Sequence, residues 1–214
     1  TASAFSFEGS FSMGAGAPAD ASCEMKELLT SAFSFAVPSL AKAGEVNTAA
    51  PNPARLKRVL REMKALLASP HPSCSVYPCE SNMFFWKAIL EGPDSTPYAK
   101  GCFIFTIEFG LDYPRAPPEI RFVTPIRHCN ISSYGKVCHS VLDRNWQSGI
   151  TVQFLLNCVF GLILSPDHED PLDSTLALAH YDDSGQYEAS IIQHVENFAS
   201  RSKEELEADL VAKL

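Results

Sequence analysis

The chain has no block of lysine and arginine, and its acids outnumber those residues 25 to 17 over 214 positions. A surface of that balance, with formal net charge -8, lacks the electrostatic footprint that nucleic acid or an anionic membrane requires, so neither is expected as a partner. No C-x-x-C or H-x-x-x-H pair occurs, and no metal is expected. The seven cysteines, at 23, 74, 79, 102, 129, 138 and 158, are odd in number and irregular in spacing. They do not suggest a disulfide framework, and the expectation is a reducing compartment, cytoplasm or nucleus. The most apolar run, 152–164, is shorter than the roughly 20 residues that cross a bilayer. No arginine precedes Arg55, so the leading segment does not look like an Arg-rich transit peptide; cleavage of one ahead of Thr1, and hence an organelle, stays open. No internal repeat is visible.

What the chain does have is 46% hydrophobic residues, enough for one well-buried domain and a tail. Residues 1–51 are rich in Ala, Ser and Gly but interspersed with Phe5, Phe7, Phe11, Phe33 and Phe35. They read as a flexible tail or, given the aromatics, a docking arm. A helix is expected from Asn52, a capping residue, with Pro53 in the first helical position. Leu56, Val59, Leu60, Met63 and Leu67 recur along it at helical spacing, and Arg55, Lys57, Arg58, Arg61 and Lys64 are expected on the rest of its surface. Pro70 and Pro72 end it. Four strands follow, at 75–79, 83–91, 102–109 and 119–123, with turns at Gly92-Pro93-Asp94 and Tyr113-Pro114. Beyond them, Thr151 can cap an apolar central helix over 152–164, and Asp173 or Ser174 can begin a short one. Tyr187, Ile191, Val195 and Phe198 mark an amphipathic helix, and 201–214 reads as a charged helical extension. A sheet meander between helices is an α+β fold, with the main domain over 52–200. Cys102 and Cys158, in apolar runs, read as core residues.

The chemistry concentrates at 128–146, H-C-N-I-S-S-Y-G-K-V-C-H-S-V-L-D-R-N-W, which pairs a thiol, Cys138, with an upstream side-chain amide, Asn130. This stretch resembles the active-site segment of ubiquitin-conjugating enzymes, where a His-Pro-Asn triplet leads through Gly-x-[Ile/Val]-Cys to a Leu and a Trp. The resemblance extends over about 53–200: Trp86, Gly92-Pro93, Thr96-Pro97-Tyr98, Gly101, Tyr113-Pro114, Pro117-Pro118 and Asp170-Pro171-Leu172 stand in the family's order. It implies the family's fold, a four-stranded antiparallel meander with an N-terminal helix and C-terminal helices. It also implies that Cys138 accepts ubiquitin or a ubiquitin-like modifier as a thioester and passes it to a lysine or to a ligase. Asn130 is then a donor to the tetrahedral oxyanion or a residue that orders the loop. Asp170 orients the incoming lysine and takes its proton, and His128 is structural. No cofactor is needed, since ATP is consumed by the upstream activating enzyme.

The same resemblance implies partner surfaces: Arg55, Lys57, Arg58 and Lys64 on the first helix for the activating enzyme, and Pro114, Arg115, Gln147 and Ser148 in two loops for a ligase. Ser75 joins these candidates. Several positions depart from the family pattern: Cys129 for the triplet's proline, His139 and Ser140 after the cysteine, Asp143 where a basic residue is common, and Arg115 where an aromatic is frequent. His139 reads as an exposed bystander. The departures in both ligase loops, with the phenylalanine-rich segment, keep open a second reading, a weak or inactive conjugating-enzyme-like domain serving as a structural or adaptor subunit. A cysteine hydrolase, a third class, would need His128 or His139 as its base.

Overall fold

The structure, a computed structural model, describes residues 53–211. The expected arm at 1–51 and the capping Asn52 lie outside them. Helix α1 spans Pro53–Ala68. The strands are β1 (Cys74–Cys79), β2 (Asn82–Glu91), β3 (Cys102–Glu108) and β4 (Glu119–Phe122). They form one antiparallel sheet in the order β1-β2-β3-β4, the expected meander. Helices α2 (Val152–Leu164), α3 (Ser174–Asp182), α4 (Ser184–Phe198) and α5 (Lys203–Val211) follow.

The register sorts the strand residues into two faces. Trp86 lies opposite Ile107, Ala88 opposite Phe105, and Leu90 opposite Phe103, all fully buried. Ile120 and Phe122 continue that face on β4. This is the main core, where period-2 alternation puts aromatic and β-branched side chains together. α1 packs on α2 and β2. α2 is buried along Val152, Leu155, Leu156, Val159, Leu162 and Ile163. Its apolar character does not run all round inside the protein, because Phe154 and Leu164 are exposed. Asp-capped starts organise the later helices: the Asp173 carboxylate accepts from Leu176 N and the Asp183 carboxylate from Gln186 N, both at 2.9 Å. On α4, Tyr187, Ile191 and Val195 face inward, whereas Phe198 is exposed.

The second face of the sheet carries Ile89, Ile104 and Cys102, and α5 covers it. Leu206 and Leu210 bury against Ile89, with Tyr77, Cys102 and Ile104 at the margin. Lys203 pairs with Glu91 at 2.7 Å, and the Tyr77 hydroxyl bonds the Glu207 carboxylate. The expected charged extension is therefore a second, small core whose charges flank an apolar stripe.

Two of the four arginine and lysine candidates on α1 are not on its surface. Arg55 and Arg58 are buried, in phase with Val59, Glu62 and Met63. The Arg55 guanidinium donates to the Phe109 carbonyl and lies 3.5 Å over the Phe84 ring. Arg58 pairs with Glu62 and donates to the carbonyls of Ser148 and Ile150, and Glu62 accepts the Val152 N–H at the start of α2 at 2.9 Å. Both guanidiniums meet backbone carbonyls, and Glu62 also satisfies an N–H at the start of α2, although the Arg55 Nε is buried without a partner. Lys57, Arg61 and Lys64 remain as the exposed basic residues of α1.

Candidate active site

Beyond β4 the chain crosses to a tight ribbon that carries the cysteine. Arg121 bridges Lys136, and Ile131 bridges Val137, so the ribbon extends the sheet's last edge. Gly135 makes the turn possible. Its φ is +79°, and a Cβ there would stand 2.0 Å from the Phe122 carbonyl oxygen. The ribbon ends with Cys138 N donating to Asn130 O at 3.0 Å, which fixes the thiol directly across from the asparagine backbone.

His128, Cys129 and Asn130 act as a clamp on three other segments. His128 is 2% exposed. Its Nδ1 accepts the Asn130 N–H at 3.0 Å, so the ring proton sits on Nε2 and is donated to the Leu162 carbonyl, 2.9 Å away, near the end of α2. Burial pushes the imidazole pKa down to about 4, which keeps the ring neutral. The Cys129 carbonyl accepts from Leu172 N (2.8 Å) and Asp173 N (3.0 Å), and its thiol is buried, with burial pushing its pKa up to about 11. The proline's place in the triplet is thus held by an inert thiol packed beside Asn130.

Asn130 is 2% exposed, and its amide is committed. Nδ2 donates to the carbonyls of Asp167 (2.7 Å) and Asp170 (3.2 Å), while Oδ1 accepts from Asp167 N at 2.9 Å. Of the two expected roles, the geometry supports loop ordering; an oxyanion donor would have to release one of those carbonyls. The loop is further closed by the Asp167 carboxylate, which accepts from Glu169 N and Asp170 N at 3.1 Å each.

Cys138 is exposed; the other described cysteines are buried or half-buried. It opens on a groove of about 290 Å³ whose lining includes Asn130, His139, Arg144, Cys158, Asp167 and Asp170. Cys138, Asn130 and Asp170 are thus brought together. Asp170 is exposed and ion-paired to Arg144 at 2.9 Å, a contact that sequence reasoning missed. Cys158 is half-buried in the wall of the same groove, not a plain core residue, and Cys102 is half-buried on the sheet's second face. His139 is half-buried as well. Its Nδ1 accepts from Val141 N at 3.2 Å and caps a 3₁₀ turn at Ser140–Leu142, so it is a turn former and not a bystander. Neither histidine is placed as a hydrolase base: His128 is locked in its clamp, and the His139 Nδ1 accepts a backbone proton.

The ligase-loop candidates lie on two neighbouring turns. Trp146 Nε1 donates to the Pro114 carbonyl at 3.0 Å and staples them together. Arg115 is exposed and paired with Asp112 at 3.0 Å, and Gln147 and Ser148 are exposed, the latter with its carbonyl held by Arg58. Leu111, 81% exposed, stands at the tip of the first turn; the Gly110-Leu111-Asp112 turn in the sequence was the available signal. Ser75 is half-buried on the face that α5 covers, opposite Ile89. Among the described residues no helix is long and apolar enough to cross a membrane, and no cluster of three or more His, Cys, Asp or Glu could hold a metal.

Comparison with known proteins identifies the family. Residues 58–195 match the profile of the family described as ubiquitin-conjugating enzyme. A protein named as a probable bifunctional E2/E3 enzyme, from Acanthamoeba polyphaga mimivirus, is 48% identical over 156 residues, which is 73% of this chain. The chain spans about 12% of that relative's length. The match covers the sheet, the clamp and the cysteine ribbon as one unit, and on that basis the chain belongs to the ubiquitin-conjugating enzyme family.

Proposed function

We propose that this domain carries ubiquitin or a ubiquitin-like modifier as a thioester on Cys138 and passes it to a lysine amine or to a ligase cysteine. The observation that carries the reading is an exposed thiol at the mouth of a groove with a carboxylate, Asp170, in its wall. In the loading step the Cys138 thiolate attacks the modifier's thioester on the activating enzyme, and that enzyme's thiol leaves. In the transfer step a lysine ammonium gives its proton to Asp170 or to water, and the free amine attacks the carbonyl. A C–N bond forms, the attacking nitrogen gives up its second proton to water, the C–S bond breaks, and Cys138 departs as thiolate. Asn130 acts here as a positioning residue that holds the Asp167–Asp170 loop. The exposed Lys57, Arg61 and Lys64 of α1 offer a basic face to the activating enzyme, and the Pro114–Arg115 and Gln147–Ser148 turns a face to a ligase.

The test is a charging assay with activating enzyme, ATP and a panel of modifiers, resolved on non-reducing gels. A thiol-sensitive adduct that is lost in Cys138→Ala and becomes thiol-resistant in Cys138→Lys is expected. A folded protein that charges with no modifier overturns the reading. That outcome favours the second one, an adaptor domain of weak or no activity, to which the committed Asn130 amide and the Arg144-paired Asp170 lend support.

A further inference from the structure

We infer that Arg144 is a specificity-determining residue, a built-in cation that occupies the Asp170 carboxylate and that the acceptor amine must displace; this rests on the transfer reading above. Arg144 Nη2 donates to Asp170 Oδ2 at 2.9 Å across the mouth of the groove that holds Cys138. The two side chains come from different walls. Asp170 is fixed by the loop that Asn130 and Asp167 close. Arg144 is fixed by the turn after the cysteine, where Asn145 N donates to Ser140 O at 2.8 Å and Trp146 is stapled to Pro114.

The charge distribution makes this pair more than one surface contact. Residues 145–200 contain no lysine or arginine, so the long wall from α2 through α4 supplies no other permanent cation. Among the groove-lining residues the ionisable ones are Cys138, His139, Arg144, Cys158, Asp167 and Asp170. Asp167 accepts two backbone N–H groups of its own loop, so Asp170 is the carboxylate best placed to meet an incoming ammonium. Both members of the pair are about two-thirds exposed, at 68% and 67%. A pair in that setting is weak and exchanges readily. Arg144 therefore does not block the groove. It sets a handicap against cationic acceptors, and neutral nucleophiles do not meet it.

Two measurements separate this inference from the reading beneath it. The first needs no modifier. Cys138 is labelled with cationic 2-aminoethyl methanethiosulfonate and with neutral methyl methanethiosulfonate, and the rates at Cys138 are read by peptide mass spectrometry. Arg144→Gln is expected to raise the cationic-to-neutral rate ratio by about two- to fivefold, the range open to an exposed pair. Arg144→Lys should stay near wild type, and adding Asp170→Asn to Arg144→Gln should return the ratio to the wild-type value or below. Lys136→Gln, a neighbouring exposed cation outside the groove lining, should leave it unchanged. The second measurement uses charged protein: Arg144→Gln should speed discharge to free lysine by a similar factor and leave discharge to hydroxylamine unchanged. If the protein never charges but the labelling ratio responds, the transfer reading fails while the Arg144–Asp170 gate on cations stands. If it charges and neither ratio moves, or if Lys136→Gln moves the ratio as far as Arg144→Gln, the inference about Arg144 is overturned.

Discussion

Replacing Asn130 by alanine separates the two roles that a side-chain amide beside the cysteine can play. The amide makes three hydrogen bonds to the backbone of Asp167 and Asp170, at 2.7, 3.2 and 2.9 Å, and its Oδ1 also accepts from the Cys129 thiol at 3.3 Å. Each is worth a net ~0.5–1.5 kcal/mol, and water can reach part of the loop once it opens, so the loss is expected at about 1–3 kcal/mol. Asn130→Asp is expected to cost more, because a carboxylate would then face the Asp167 and Asp170 carbonyls that the native Nδ2 satisfies. Urea unfolding gives the global figure. Amide exchange gives the local one, and the Asp167 N–H, which loses its acceptor, should exchange roughly 5- to 150-fold faster for that range of energies. Charging and discharge should both fall as the loop loses order. An oxyanion role makes the opposite forecast: unchanged stability and exchange, normal charging, and discharge slower by roughly 10² to 10³. That second pattern would refute the assignment of Asn130 as a loop staple.

Other perturbations test the rest of the framework. The His128 ring, with its pKa lowered from 6.5 to about 4 by burial, stabilises the fold fully above pH 6.5. That contribution is lost as pH falls toward 4 and amounts to about 3 kcal/mol. Burial also lowers the pKa of His71, His168 and His194, so the ring must be titrated individually by NMR; a His128 midpoint near 6.5 would contradict the clamp. Glu62→Ala strands the buried Arg58 guanidinium and the Val152 N–H and should cost ~3–5 kcal/mol in urea unfolding, with Arg58→Met/Glu62→Leu costing less than the sum of its single variants. A loss below about 1 kcal/mol would mean that the pair behaves as a surface contact. Leu206→Ala should lose ~2–4 kcal/mol if α5 is part of the cooperative core, and an unchanged unfolding midpoint would show that the helix is dispensable.

The antiparallel meander and the α2 boundaries were legible because they depend on β-branched and aromatic runs between turn signals, on an apolar run of helical length and on caps such as Thr151, whose side chain does accept from Phe154 N. Arg55 and Arg58 were misread because a long cation in a helix normally snorkels to water. What placed them inside is a set of backbone carbonyls on Phe109, Ser148 and Ile150 that only the tertiary fold brings near. One local signal was available: Arg58 and Glu62 stand four apart and in phase with the buried Val59 and Met63. In α5, Leu206 and Leu210 also stand four apart, but among flanking acids the stripe was too narrow to stand out from a charged helix.

The site was legible in its residue types and less so in their roles, and the reason lies in how the clamp is built. His128, Cys129 and Asn130 are adjacent in sequence, yet each ties down a different segment: Leu162 at the end of α2, Leu172–Asp173 at the entry to α3, and Asp167–Asp170 between them. All three side chains are turned inward, and Cys138 is anchored to the same strip by its own backbone N–H. The buried residues of that strip position the groove, whereas the exposed groups beside the thiol, Arg144 and Asp170, lie outside it, in the turn after the cysteine and in the loop before α3. A groove made in this way has rigid walls from buried backbone bonds and an exchangeable pair of charges at its mouth. Substitutions in the clamp should change stability and transfer together, while substitutions at Arg144 should change which nucleophile is preferred and leave stability alone.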